Sequence, residues 1–286
     1  MGGRGNFVDW STQRWVQATG RRVALAEHPW LDGPAGGTIR IGADFFEQYA
    51  SRHRLLVADE TPCGLLTKFE DLRGPRFDPG VISPAVVDFY ERASEYEIDS
   101  WAHWTGIFRP FGRALAFIFS RRLQQLNVPL SGLDTSLGMS SDVKTVRSGS
   151  GEVLYSAWVR RLVRSGDVIY AGAYSACAVP NYEGRCVRVV FPLPNGNAIV
   201  LMRPIAEPDG SLTLASEGRR FGDPGFYFTV HAGDGSAWAR YVRTMRERIH
   251  VYASADGSVR ADHTLTIWRT TFLRLHYRLR LVPRQR

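Results

Sequence analysis

The last regular segment constrains this chain most. Leu273, Leu275, Tyr277, Leu279 and Leu281 alternate with Arg274, His276, Arg278 and Arg280. Successive side chains of a strand point to opposite faces, so this strict period of two predicts a half-buried β-strand with one apolar and one basic face. Such a strand needs partners, and the preceding sequence offers them. Short apolar runs at residues 153–163, 168–179, 186–191, 198–202, 212–216, 226–230, 251–254 and 259–268 are separated by turn residues such as Asp209-Gly210, Gly222-Asp223-Pro224-Gly225 and Asp256-Gly257. Strands joined in order by tight turns predict an antiparallel meander, curved or barrel-like, and exclude a doubly wound parallel sheet. One segment breaks the series. Trp238, Tyr241, Val242, Met245 and Ile249 recur at helical spacing with Arg240, Arg243 and Arg246 on another face, which predicts a helix over 238–249.

The first half has a different texture. Residues 1–40 are rich in Gly and Pro, although Trp10, Trp15 and Trp30 argue that the segment packs on something. A short helix is expected over 43–55. Ser83-Pro84, a cap followed by proline, opens another that runs through Val87, Tyr90 and Ile98 towards Trp101. A third is expected over 110–126, with an apolar middle at 114–119. Ser148-Gly149-Ser150-Gly151 marks the change to strands. The expected fold is therefore α+β: a mainly helical region, 1–147, packed on a curved, mostly antiparallel β region, 148–286. That architecture is similar to the ligand cups of lipocalin-like and START-like proteins, although this chain ends in a strand and not in the long C-terminal helix of START-like proteins.

The net charge is +8, and the last 51 residues, with eleven Arg and three acids, carry all of it. Nearly all cationic residues are Arg, the side chain whose planar fork matches carboxylate and phosphate. Three cysteines are too few for a disulfide framework, and they lack zinc spacing. The longest apolar run, 114–119, falls far short of the roughly 20 residues of a membrane-spanning helix, so the expectation is a cytoplasmic protein with no membrane span.

Three constellations are candidates for chemistry. Glu91, Glu95, Asp99 and His103 stand four apart; on a continuous helix they share one face, which makes Glu95, Asp99 and His103 candidate metal ligands. The polar loop 217–225 offers Arg219 and Arg220 for an anion and Glu217 and Asp223 for acid–base work. His231, His250, His263 and His276 gather late in the chain, with His231 a third acid–base candidate. A two-residue turn at Asp256-Gly257 would set His250 opposite His263. The basic face of the last strand adds Arg274, His276 and Arg278 as ligand contacts. Nucleophile elbows, phosphate loops and dinucleotide fingerprints are absent. No aromatics interleave the final basic face, which argues against nucleic acid. The leading expectation is a small apolar or acidic ligand bound in a β-cup without a cofactor. The alternatives are a cofactor-independent acid–base enzyme using the same cavity, or a basic surface for nucleic acid or anionic membrane.

Overall fold

The computed structural model describes residues 7–37, 42–105, 139–163 and 166–282. Fourteen strands lie among them: β1 (Arg21–Ala24), β2 (Leu56–Ala58), β3 (Tyr96–Trp104), β4 (Met139–Arg147), β5 (Val153–Leu162), β6 (Val168–Val179), β7 (Tyr182–Leu193), β8 (Gly196–Ala206), β9 (Leu212–Ala215), β10 (Phe226–His231), β11 (Ser236–Tyr241), β12 (Met245–Ala253), β13 (Val259–Ile267) and β14 (Thr270–Leu281). Three α-helices accompany them: α1 (Phe7–Thr19), α2 (Phe45–His53) and α3 (Pro84–Glu91).

Strands β4 to β8 form an antiparallel meander, with β2 beside β4. One edge of β8 pairs with β7. Along its other edge, residues 196–200 pair with β10, which continues to β11 and β1, while residues 203–206 pair with β9. From β9 the sheet continues through β12, β13 and β14 to β3. The fork at β8 lets this second limb turn over the first. The Arg160 guanidinium on β5 lies 5.6 Å from the Tyr277 ring on β14, and the Ser100 hydroxyl on β3 reaches the Met139 sulfur on β4 at 3.8 Å.

The folded sheet makes two cores. Between the limbs, Trp158, Val187, Val200 and Met202 meet Leu214, Val251, Val259 and Leu279. Residues 63–93 plug one end of this concave side with Leu66, Phe69, Val86, Phe89 and Tyr90. On the outer face, Val159, Ala171, Ile199 and Leu201 are covered by Trp30, Leu31, Phe45 and Phe46. The central strands are thus buried on both faces, which is why the segment from Ala198 to Met202 reads as an unbroken apolar run rather than an alternation.

The expected α+β fold with a helical first half does not form. Strand accounts for 51% of the structure and helix for 18%, so the fold is closer to all-β. The helix expected from Ser83 to Trp101 ends at Glu91. After a 3-10 turn at Ala93–Glu95, the chain becomes β3, in which Tyr96 and Ile98 are buried while Glu97 and Trp101 are exposed. Its partner, β14, lies some 180 residues away, so no local signal marks the switch. The helix expected over 238–249 is instead β11, a turn, and β12. Ala237, Ala239 and Tyr241 are buried at period two, and the helical spacing of the large apolar residues arises from two strands placed either side of a three-residue turn. The helix expected over 43–55 is α2, closed by Arg54 in the left-handed conformation (φ 55°). The helix expected over 110–126 lies outside the described residues.

Candidate functional site

The concave side carries a group of polar and aromatic side chains set by strand periodicity. On β5, Trp158 and Arg160 face inward; on β6, Tyr170, Gly172 and Tyr174; on β12, Glu247; on β13, His263; on β14, Tyr277. Gly172 is required here. A Cβ on it would sit 2.9 Å from the Tyr170 hydroxyl oxygen, and its absence lets the Tyr170 and Tyr174 hydroxyls hydrogen-bond each other. Trp158 stacks edge-on against Tyr170, with ring centroids 5.3 Å apart.

Two charged features stand among these rings. His263 Nε2 lies 2.5 Å from Glu247 Oε1, each side chain 12% exposed, in a close contact that lacks hydrogen-bond geometry, with the His263 ring stacked over Tyr277 at 6.3 Å. Arg160, 5% exposed, has no carboxylate within ion-pair reach among the described residues. Its Nη2 meets the Met139 sulfur at 3.6 Å, its cation lies over Trp158 and Tyr277, and its Nε has no hydrogen-bond partner. A buried guanidinium usually has a carboxylate, because desolvation of the charge otherwise goes uncompensated. Burial pushes the Tyr170 and Tyr174 phenols well up from their ordinary values and raises that of Tyr277. Arg160 pulls back on Tyr170 and Tyr277, whereas Glu247 raises all three further. Yet each of the three keeps some exposed area.

The residues singled out by sequence lie elsewhere. Arg274, His276 and Arg278 face away from the concave side. Arg278 pairs with Asp99 at 2.7 Å and His276 with Asp262 at 2.7 Å. Glu95, Asp99 and His103 share no helix face: Glu95 is buried against Arg92, while Asp99 and His103 sit on β3 opposite Arg278 and Arg274. Among the described residues no group of three His, Cys, Asp or Glu is placed to hold a metal ion. The loop 217–225 does gather its members. Glu217, Arg219, Arg220 and Asp223 line an open depression of about 440 Å³ with Asn181 and Arg203. Burial pushes the Asp223 carboxyl up, but N–H groups of Arg219 and Arg220 and the Asn181 amide more than offset this and hold it below its ordinary value. Asp223 there organises its own loop. His231 closes β10. Burial lowers its pKa, Asp32 partly offsets this, and its Nε2 is buried without a partner.

Register explains why the histidines do not meet. His250 pairs with Asp262 and Ile249 with His263, because residues 254–258 form the turn rather than Asp256-Gly257 alone. A slip of one residue reverses every side chain, so His263 enters the concave side while His250 contacts Thr213. Sequence reasoning passed over Arg160, Tyr170, Tyr174 and Tyr277. The available signals were the inward repeat Tyr170-x-Gly172-x-Tyr174 and the Trp158-x-Arg160 pair. Glu247 was hidden inside the helix expected over 238–249.

Fold and site together define a largely β protein whose folded sheet encloses a charged aromatic wall. No family model matches the chain, and no solved structure matches it. The chain is similar to the uncharacterized membrane protein YndJ of Bacillus subtilis (strain 168), at 28% identity over 244 residues, which covers 84% of this chain and 41% of the relative. The chain thus spans less than half the length of the curated relative it matches. The relative's name conflicts with the expectation of a cytoplasmic protein, which is withdrawn. Among the described residues no helix is long and apolar enough to cross a membrane.

Proposed function

We propose that the concave side binds an amphiphile, an apolar molecule bearing one phosphate or carboxylate, with Arg160 as the contact for the anion. The observation that carries this reading is the buried Arg160 guanidinium, held between aromatic faces and with no carboxylate partner among the described residues. An entering oxyanion would supply the missing countercharge through a two-pronged hydrogen bond. The partly exposed Phe191, Phe228, Met245 and Ile249 offer apolar surface to the remainder of the molecule. An amphiphile drawn from a bilayer is in keeping with a relative called a membrane protein.

Fluorescence titration of the full chain with octyl phosphate, against octanol, tests the proposal. Saturable binding of the phosphate, at least tenfold tighter than that of the alcohol, is expected. Absence of saturable binding by either probe would overturn it.

One observation favours a second reading, acid–base catalysis on a bound molecule. The Glu247 carboxylate and the His263 imidazole stand in contact beside Tyr277 on the same wall, a charged neighbour for an imidazole acting as a general base. Turnover abolished by His263→Gln at unchanged octyl phosphate affinity would favour it over binding alone.

A further inference from the structure

The turn joining β13 to β14 is built against ordinary hairpin chemistry. Ile267 pairs with Thr270, so Trp268 and Arg269 are its two central residues, and both have positive φ, 48° and 70°. A two-residue hairpin turn of this sign normally takes Asn-Gly, because side chains with a Cβ are crowded in the left-handed region. Trp268 is nevertheless held there, 70% exposed. Its N–H donates to the Thr244 carbonyl at 2.9 Å, which fixes the turn against the one joining β11 to β12.

Around this indole the charges are of one sign. Arg243, Arg246, Arg269 and Arg274 are exposed, and none of their guanidinium groups has a carboxylate or hydrogen-bond partner among the described residues. The contrast with the same strands further along is sharp. There Arg248, Arg260, Arg278 and Arg280 are each paired with an acid. Arg246 and Arg274 stand on the outward face of β12 and β14, either side of Thr264 and Thr266 on β13.

We infer that this hairpin end docks on an anionic lipid surface. An exposed indole at the apex, with unpaired guanidinium groups around and behind it, matches the layering of a bilayer face. Tryptophan settles at the headgroup level, and Arg is drawn to the negative surface potential. Single-stranded nucleic acid is less well matched, because its bases stack on aromatics interleaved with the basic row, and here Thr264 and Thr266 occupy those places. The inference does not depend on what the concave side binds.

Sedimentation of the full chain with vesicles tests it, comparing pure phosphatidylcholine with a mixture containing one part in four phosphatidylglycerol. Binding to the anionic vesicles at low salt, lost at high salt and absent with phosphatidylcholine alone, is expected. Trp268→Asn with Arg269→Gly should melt no earlier than the parent and bind at least tenfold more weakly. Arg246→Gln with Arg274→Gln, which leaves the turn intact, should weaken binding without altering the melt. Unchanged vesicle binding in both double variants overturns the proposal, as does no binding by the parent. Tighter binding to an oligonucleotide than to the anionic vesicles also overturns it, and assigns the end to nucleic acid.

Discussion

His263 Nε2 and Glu247 Oε1 meet at 2.5 Å across the β12–β13 pair, although in register Glu247 stands opposite Leu265 and His263 opposite Ile249. The contact is a diagonal one on the concave face, and each side chain is only 12% exposed. Diagonal neighbours lie within reach of long side chains, and removing one partner of a buried polar pair strands the other. Glu247→Gln and His263→Gln should each cost about 1–3 kcal/mol in urea denaturation. The double variant should cost clearly less than the sum, because each single change already breaks the pair. Additive losses would mean that the two groups do not interact in solution.

The outward basic face should be energetically quiet. Arg278 and Asp99 pair while each remains about a third exposed, where solvent screens the interaction. Arg278→Ala should therefore change stability by under about 1 kcal/mol and leave octyl phosphate binding unaltered. Loss of binding in this variant would return the ligand site to the last strand's basic face.

His231 gives the fold a predictable acid sensitivity. Burial lowers its pKa from 6.5, with Asp32 offsetting only part of the effect, so the native state holds a neutral imidazole. The unfolded chain takes up the proton first as pH falls. Stability from this group is present above about pH 6.5 and is lost as pH drops towards the lower native value. Denaturation midpoints at pH 7.5 and 5.5 should diverge in the parent and draw together in His231→Asn. An equal pH dependence in both would assign the acid loss to other groups.

The Trp268-Arg269 turn should be improvable. Each side chain held in the left-handed region costs about 1–2 kcal/mol, and Asn-Gly avoids most of this. Replacing the pair with Asn-Gly should raise the melting temperature. A lower melting temperature would show that the indole stabilises the fold through contacts that outweigh the backbone cost.

The sequence exposed some of this molecule and concealed the rest for identifiable reasons. Apolar runs bounded by turn residues announce strands, and β6 runs over the same residues, 168–179, that such a run predicts. The α3 segment and β3 were merged because Val87, Tyr90 and Ile98 fit one helix, while the β14 partner that draws 96–104 into the sheet lies far along the chain. Arg160 could not be recognised as a buried charge from its neighbours, since its burial depends on the second limb, with Tyr277, folding over β5. The Glu247–His263 contact needed both a strand in place of the helix over 238–249 and the correct turn at 254–258. Each is a decision made by tertiary pairing.

Arg160→Met tests the central claim most directly, read in two ways on the same preparation. A buried guanidinium without a carboxylate contributes little to stability, and an apolar side chain of similar length can replace it at no loss. The variant should therefore melt at or above the temperature of the parent. Its calorimetric affinity for octyl phosphate should fall at least tenfold, the equivalent of one charge-assisted hydrogen bond of about 1.5–3 kcal/mol. Unchanged affinity, with the variant folded, would contradict the assignment of the concave side as an anion-anchored binding site.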